Sequence, residues 1–254
     1  MKAFGRLALY GLGGLLVFLL GVALYNASWF DAPHGDGHIK LLAHRGVHQT
    51  FPHDDLKNDT CTAERINPPT HDFIENTLPA MEAAFAAGAD VVELDAHLTP
   101  EKTFAVMHDW TVDCRTEGKG VTEELGIAYL KTLDLGYGYT ADNGKTFPLR
   151  GKGIGQIPTV EEALAALPSR PLLFNFKSKD AGEADQLFAI LKASGRDYEK
   201  LGDAFYGATG PVTRIRQLAP GLRPHLVPHL ALGNAAGERL RGLRLRLHAP
   251  QVAV

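Results

Sequence analysis

Short apolar runs alternate with helical segments along the central part of the chain, and this pattern limits the fold more than any other feature. Six runs are predicted to form strands, at 41–46, 91–97, 104–108, 171–176, 203–207 and 223–227. Helices are predicted between or after them at 76–90, 158–167, 181–194 and 211–219. Strands that alternate with helices indicate a parallel sheet, and an open doubly wound sheet and a closed (β/α) barrel both fit that pattern.

Polar side chains are concentrated where the predicted strands end. They are His44, Glu93, Asp95, His108, Asn175 and Lys177. In a barrel the carboxyl ends of the strands converge on one mouth, where active sites form, whereas in an open sheet the first and fourth strands need not meet. The polar residues therefore favour the barrel.

The strand at 91–99 carries a pattern that is typical of a cation site. Glu93, Asp95 and His97 alternate with apolar residues, so that all three point to one side of the strand. Two carboxylates beside apolar neighbours repel each other when they lose water, and a divalent cation removes that penalty. Their hard oxygen atoms suit Mg²⁺ or Ca²⁺. A half-exposed strand with ordinary salt bridges is the alternative interpretation.

Two histidines and two cations complete the set of candidate site residues. His44 and His108 are suited to a general base and a general acid near neutral pH. Arg45 has a planar fork that matches a pair of phosphate oxygens, and Lys177 is a second candidate phosphate contact. A metal ion, two histidines and an arginine fit phosphodiester cleavage better than hydride or acyl transfer. The sequence contains neither a glycine-rich dinucleotide fingerprint nor a G-x-S-x-G motif.

Five sequence blocks together resemble the glycerophosphodiester phosphodiesterase family. In chain order they read AHRG, ENTLPAMEAAFAAGADVVELDAHLT, VMHDW, CRTEGKG and IPTVEEAL, and the likeness covers about residues 40–180. The resemblance implies a (β/α)₈ TIM barrel and hydrolysis of glycerophosphodiesters to glycerol 3-phosphate and an alcohol. It also implies a divalent cation, Ca²⁺ or Mg²⁺.

The same resemblance implies roles for individual residues. His44 and His108 would be the catalytic acid and base. The metal ligands would be Glu75, Glu93, Asp95 and Asn175, and the substrate would be bound by Arg45, Asn76 and Lys177. The implied reaction begins with attack of the glycerol 2-hydroxyl on phosphorus. One histidine takes its proton while the other protonates the leaving alcohol, and the cyclic phosphate is then hydrolysed.

The chain departs from the family pattern at two places in this region. Asn175 stands where the family usually has a glutamate, and an amide brings no charge, so we expect weaker cation binding. The segment 47–74 is an unusually long insertion, which we expect over the mouth of the barrel. It contains Cys61, and Cys114 lies in the loop after His108. In an oxidising compartment these two cysteines are candidates for a disulfide, with two free thiols as the alternative.

The N-terminus differs from the rest of the chain. Residues 7–25 are uncharged and follow Lys2 and Arg6, as in a signal peptide or a signal anchor. We expect an uncleaved membrane anchor within 1–28 and a linker at 29–38, with a buried core helix as the alternative. The catalytic domain at 39–230 would then lie outside the cytoplasm, in the periplasm or the extracellular space.

The C-terminal part does not supply the strands that a full barrel requires. Six strands are predicted where eight are needed, and 231–254 is an atypical basic tail. We therefore expect a barrel that is incomplete at its C-terminus, through truncation or a frame shift, with a basic amphipathic helix as the alternative.

Two other functions are compatible with the same residues. One is phospholipase D-like cleavage of a lipid phosphodiester, and the other is a truncated, non-catalytic remnant of the family. The formal net charge of −3 gives no indication of nucleic-acid binding. The expected partners are a small or lipid-derived glycerophosphodiester and, through the N-terminal helix, a membrane. No protein partner is implied.

Overall fold

The computed structural model describes residues 2–25, 41–57 and 59–220 of the chain. The linker expected at 29–38, the strand predicted at 223–227 and the basic tail at 231–254 lie outside the described residues. The expected incompleteness of the barrel falls in the same part of the chain.

The first described element is a helix, α1, at Lys2–Tyr25. Within the ranges that the structure describes, no helix is both long enough and apolar enough to cross a membrane. The membrane anchor and transmembrane helix expected within 1–28 are therefore not supported.

Residues 41–57 and 59–220, which form an α/β domain, contain one five-stranded sheet. Its strands are β1 (Leu42–Ala43), β2 (Val91–Leu98), β3 (Phe104–Val106), β4 (Leu172–Phe176) and β5 (Ala204–Gly207). The strands β1, β2, β4 and β5 lie side by side in that order and are parallel, while β3 pairs with β2. Each of the five coincides with a predicted strand.

The pairing of β3 differs from the all-parallel sheet that the sequence predicts. It runs antiparallel to the end of β2, with Ala96 opposite Val106. The connection at 99–103 is too short for a crossover, because parallel neighbours need about a dozen residues or more between them. It instead forms a tight turn in which the Thr99 backbone N–H donates to the Thr103 carbonyl at 2.9 Å.

The described helices after α1 are α2 (Leu78–Ala86), α3 (Ile127–Leu130), α4 (Val160–Ala166), α5 (Gly182–Ala193), α6 (Tyr198–Leu201) and α7 (Thr209–Leu218), together with two 3₁₀ helices at Thr62–Arg65 and Thr122–Glu124. The four predicted helices correspond to α2, α4, α5 and α7, of which α7 begins two residues before its predicted start. The short helices α3 and α6 were not among the four. Threonine side chains cap the N-termini of two of these helices. Thr77 caps α2, and Thr159 and Glu162 form a reciprocal capping box on α4.

The main core lies between the sheet and the helices. Phe174 of β4 and Phe205 of β5 stack with ring centroids 5.3 Å apart, and Leu94 of β2 is fully buried beside them. A second apolar cluster contains Ala63, Ile66 and Ile74, together with residues of the 105–157 region. The long insertion at 47–74 is therefore packed into the domain in its second half.

The register of the parallel strands places three polar side chains in one row. Asp95 of β2 is opposite Asn175 of β4, and Asn175 is opposite Tyr206 of β5. Since β2 is buried along nearly its whole length, the carboxylates of Glu93 and Asp95 are 1% and 0% exposed. The alternative interpretation of this strand as half-exposed is thereby excluded.

Candidate active site

The site begins with a tight turn directly after β1. Arg45 and Gly46 both have positive φ angles, of 60° and 75°. A Cβ atom on Gly46 would lie 2.7 Å from the backbone carbonyl of Ala80 in α2, so only glycine fits at this position. The Val47 backbone N–H donates to the same carbonyl at 3.0 Å. The turn is thus docked on α2, which fixes where the side chains of His44 and Arg45 project.

Arg45 lies among three carboxylates. Its backbone N–H donates to Glu93 Oε2 at 3.0 Å, and its Nη1 donates to Glu75 Oε1 at 2.9 Å. Its Nε lies 3.2 Å from Asp95 Oδ2. Burial alone would raise the pKa of Glu75, but the guanidinium groups of Arg115 and Arg45 outweigh it and lower that pKa. In this arrangement the guanidinium holds the carboxylates together, while the phosphate-binding role predicted for Arg45 stays a prediction.

Asp95 is the most heavily bonded carboxylate of the site. Its Oδ2 accepts from Asn76 Nδ2 at 2.9 Å, and its Oδ1 accepts from Asn175 Nδ2 at 2.7 Å. Lys177 Nζ lies 3.5 Å from the same Oδ1. Burial alone would raise the pKa of Asp95, but the cations of Arg45 and Lys177 outweigh it and lower that pKa. Asp95 is therefore held in its charged form by neighbouring donors.

Glu93 lies two residues before Asp95 on β2, and its pKa is shifted in the opposite direction. Burial, followed by the negative charge of Asp95, raises the pKa of Glu93 above its usual value. Its Oε1 accepts a hydrogen bond from the Tyr206 hydroxyl at 2.7 Å. The predicted strand at 203–207 contains Tyr206, but nothing in the sequence connects that hydroxyl to Glu93. The strand register is what brings them together.

His44 lies at the open side of the site. Its side chain is 44% exposed, and its Nε2 lies 3.9 Å from Glu93 Oε2. Desolvation by the surrounding protein and the neighbouring Arg45 cation, in that order, lower the pKa of His44 below its usual value. Its imidazole is therefore neutral at neutral pH and able to accept a proton.

His108 follows β3 and is oriented by the next residue in the chain. Its Nδ1 lies 2.7 Å from Asp109 Oδ1, so the other ring nitrogen, Nε2, is the one left for proton transfer. Asp109 Oδ2 in turn accepts from Arg115 Nε at 2.6 Å. Neither Asp109 nor Arg115 is singled out by the sequence. The only signals are two blocks of the family resemblance: VMHDW, which contains Asp109, and CRTEGKG, which contains Arg115.

His97 points away from the carboxylates with which its alternation groups it. Its Nδ1 pairs with Glu123 Oε1 at 2.9 Å, and its Nε2 lies 3.4 Å from the His108 carbonyl oxygen. This buried ring supports the backbone at the end of β3. It makes no hydrogen bond or ion pair with Glu93 or Asp95 among the described residues.

The predicted metal ligands are close together but do not form a ready cation site. Glu75, Glu93 and Asp95 surround Arg45, and Asn175 uses its amide N–H on Asp95 rather than presenting its oxygen. Among the residues that the structure describes, no group of three histidine, cysteine, aspartate or glutamate side chains is arranged to hold a metal ion. The oxygen donors themselves are of the type that Mg²⁺ and Ca²⁺ prefer.

The insertion is tied to the site by a disulfide. Cys61 and Cys114 are bonded, with their Cα atoms 5.9 Å apart. Thr62, which begins the 3₁₀ helix next to Cys61, accepts a hydrogen bond from Arg115 Nη2 at 2.8 Å. The alternative of two free thiols is excluded, and the insertion is pinned as expected.

Sequence comparison relates most of the chain to one enzyme family. A sequence profile of the glycerophosphoryl diester phosphodiesterase family matches residues 44–191, which is more than half of the chain. A glycerophosphodiester phosphodiesterase of Caldanaerobacter subterraneus subsp. tengcongensis is 34% identical over 179 residues, which are 68% of this chain and 69% of that protein. Glycerophosphodiester phosphodiesterase 1 of Mus musculus is 33% identical over 132 residues, or 52% of this chain and 37% of its own length.

Solved structures show the same fold at lower sequence identity. A glycerophosphodiester phosphodiesterase from Agrobacterium tumefaciens is 23% identical, with a TM-score of 0.51 over 73% of this chain and 65% of that one. A phosphodiesterase from Oleispira antarctica, solved with its product sn-glycerol-3-phosphate, is 22% identical, with a TM-score of 0.51 over 71% and 62%. The chain spans slightly less than two thirds of these two structures, and the likeness shows a TIM-barrel-like α/β fold.

Proposed function

Because the chain belongs to the glycerophosphoryl diester phosphodiesterase family, we propose that it hydrolyses glycerophosphodiesters to glycerol 3-phosphate and an alcohol. The observation that carries this proposal is the placement of two imidazoles, His44 and His108, around a buried cluster of carboxylates and cations. Sn-glycerol-3-phosphate, the product present in the Oleispira antarctica structure, is the product that we expect here.

In the proposed reaction the two histidines exchange protons with the substrate. His44 Nε2 takes the proton of the glycerol 2-hydroxyl as that oxygen forms a bond to phosphorus. His108 gives its Nε2 proton to the alcohol oxygen as the bond between that oxygen and phosphorus breaks. Water then opens the cyclic phosphate with the two roles reversed, which restores both rings.

This assignment of roles follows from the neighbours of each ring. Asp109 lies 2.7 Å from His108 Nδ1 and orients the ring so that Nε2 is free to give a proton, as a general acid requires. Burial, followed by the cation of the adjacent Arg45, lowers the pKa of His44 and favours its neutral ring, as a general base requires. Lys177, which is 10% exposed and whose Nζ lies 5.8 Å from the centroid of the Trp110 ring, would contact the phosphate.

We also propose that activity depends on a divalent cation, Ca²⁺ or Mg²⁺. The carboxylates of Glu75, Glu93 and Asp95 fit such an ion because all their donors are hard oxygen atoms. Burial and the neighbouring Asp95 carboxylate raise the pKa of Glu93. A bound cation would relieve the repulsion between these two carboxylates. When bound, the cation would neutralise negative charge on the phosphate. Asn175 would contribute an uncharged amide oxygen after turning its side chain.

The site of action that we propose is outside the cytoplasm. Disulfides persist in oxidising compartments and are rare in the cytosol, and the Cys61–Cys114 bridge pins the insertion. Alkylation of free thiols immediately on lysis of untreated cells tests this proposal. Protection of both cysteines supports it, and labelling of both in freshly lysed cells contradicts it.

The proposed activity is tested by release of glycerol 3-phosphate from glycerophosphocholine, with Ca²⁺, with Mg²⁺ and with EDTA. His108→Ala should lower kcat by about 10²- to 10⁴-fold, the usual contribution of a general acid. His53→Ala is the matched control, because this exposed histidine of the insertion contacts Phe51 and lies outside the site.

Each part of the proposal has its own contrary result. Unchanged kcat in His108→Ala would refute the assigned acid, and equal rates in EDTA would refute the cation. Release from sphingomyelin or a lysophospholipid instead would favour the lipid-cleaving alternative. Absence of release from every substrate would favour the non-catalytic remnant.

A further inference from the structure

Arg115 is the largest side chain that is fully buried in the described part of the protein, at 1% exposure. Burial of a guanidinium without partners for its donors is strongly unfavourable, because the loss of solvation is not repaid. Arg115 has four protein partners. Its Nε donates to Asp109, its Nη1 donates to the Tyr139 hydroxyl, and its Nη2 donates to Thr62 and lies 3.2 Å from Glu75. Because Arg115 does not reach the surface, contact with solvent does not explain why this position carries a charged residue.

Arg115 is linked to His108 through the carboxylate of Asp109. The carboxylate of Asp109 uses Oδ2 for Arg115 Nε at 2.6 Å and Oδ1 for His108 Nδ1 at 2.7 Å. A carboxylate bound at both oxygens cannot rotate, so the guanidinium fixes the plane in which the imidazole is held. Burial alone would raise the pKa of Asp109, but Arg115 outweighs burial and keeps it charged.

Arg115 is also linked, through Glu75, to the turn after β1. Glu75 Oε1 accepts from Arg45 Nη1 at 2.9 Å and lies 3.2 Å from Arg115 Nη2. Arg115 is therefore two contacts from the turn that carries His44 and two contacts from His108. It links the supports of both histidines without itself being exposed to substrate.

We propose that Arg115 is the positioning residue of His108, which it orients through Asp109 while Glu75 ties it to the His44 turn. This inference rests on the proposed function, in which His108 is the general acid. It assigns to the buried arginine a kinetic role that acts through another residue, rather than contact with the substrate.

The protein supplies a matched control for a purely structural role. Arg196 is also buried, and its Nε donates to Asp203 Oδ2 at 2.6 Å. Its Nη groups bind the carbonyl oxygens of Leu167 and Arg170, on the connection before β4. Arg196 thus makes the same kind of buried ion pair, and within the described part of the chain it contacts neither His44 nor His108 nor their supporting residues.

The experiment compares Arg115→Gln with Arg196→Gln, in the wild-type and His108→Ala backgrounds. We expect Arg115→Gln to lower kcat by about 100-fold, within the usual range for general acid catalysis, and to change KM less than about threefold. In the His108→Ala background the same substitution should change kcat less than about twofold, because coupled residues are not additive. Arg196→Gln should lower thermal stability but leave kcat within about twofold.

Equal losses from Arg115→Gln with and without His108 would overturn the inference, as would a kcat loss in Arg196→Gln of the same size. If Arg115→Gln does not fold, Asp109→Asn replaces it, since this isosteric change removes the charge that bridges Arg115 and His108. It should show the same lack of additivity with His108→Ala, and additive losses would overturn the inference.

A readout independent of turnover separates this inference from the proposed function. Imidazole ¹⁵N spectra should show a hydrogen-bonded Nδ1 proton on His108 in the wild type and its loss in Arg115→Gln. If the wild type releases no glycerol 3-phosphate, the proposed function fails while the spectra still decide the positioning role. An unchanged His108 signal in Arg115→Gln would overturn that role.

Discussion

Removal of the Cys61–Cys114 disulfide should destabilise the α/β domain and loosen the insertion. The bridge joins residues 53 positions apart in the chain. Closing a loop of that length restricts the unfolded chain by an amount equal to about 4 kcal/mol at 25 °C in the chain-entropy description. Since whole domains are stable by about 5–15 kcal/mol, this is a large share of the total.

Packing of the insertion persists without the bridge. Ala63 is fully buried, and its carbonyl accepts from the Thr140 backbone N–H at 2.9 Å. The Ile66 N–H donates to the Thr140 carbonyl at 3.2 Å. These contacts act in the folded state and leave the unfolded chain unrestricted, so they do not replace the contribution of the disulfide.

The assay is urea unfolding of the full chain, followed by circular dichroism. The quantity measured is the free energy of unfolding of the domain that contains residues 41–220. The double variant Cys61→Ser/Cys114→Ser should lose about 4 kcal/mol relative to the oxidised wild type. Wild type treated with dithiothreitol should behave like the variant, and the variant itself should not respond to dithiothreitol. Those two comparisons separate loss of the bridge from effects of the serine side chains.

A loss below about 1 kcal/mol would refute the reasoning, because it would mean that residual structure already restricts the insertion in the unfolded ensemble or that the bridge is strained. A loss that persists in the variant but is absent in reduced wild type would instead implicate the half-buried serine hydroxyls.

Three further changes test other parts of the structure. Gly46→Ala places a Cβ 2.7 Å from the Ala80 carbonyl at a φ of +75°, so urea unfolding should show a loss of about 1–3 kcal/mol. Burial raises the pKa of Glu183 to about 7, so the folded state holds that proton more tightly. Stability should then fall as pH rises from about 4.5 to 7 in the wild type and stay flatter in Glu183→Gln, and equal slopes would contradict this. Asn175→Asp replaces a donor to Asp95 with a like charge. Thermal shifts should show it less stable than wild type in EDTA and more strongly stabilised by Ca²⁺.

The sequence predicted the strands well because each is a short apolar run that ends in a polar residue. The predicted parallel direction of β3 was wrong, since periodicity at 104–108 carries no information about strand direction. The length of the 99–103 connection decides it and could have been used. Tyr206 illustrates a different limit. Its contact with Glu93 spans 113 positions in the chain and depends on the register of β5 against β4, which no local pattern specifies.

Arg115 was missed for a similar reason. In the sequence it is one of 26 lysines and arginines in a polar loop, where an exposed cation is the ordinary expectation. Only the fold shows that the disulfide, the insertion and the strand ends enclose it. Arg45, by contrast, was identified from its position after β1, although the carboxylates that hold it come from β2 and from the residues before α2.

The charges of the enclosed cluster explain why a cation belongs in the proposal even though Arg45 occupies the space between the carboxylates. Three cations face four carboxylates there: Arg45, Arg115 and Lys177 against Glu75, Glu93, Asp95 and Asp109. With the ring of His108 neutral, the cluster carries one excess negative charge, and burial beside the Asp95 carboxylate raises the pKa of Glu93. A phosphodiester adds a second negative charge, and uncompensated buried charge is strongly unfavourable. One divalent cation balances both of these charges, whereas one proton, on Glu93 or on His108, balances only one of them. Substrate binding should accordingly require the cation more strongly than folding does.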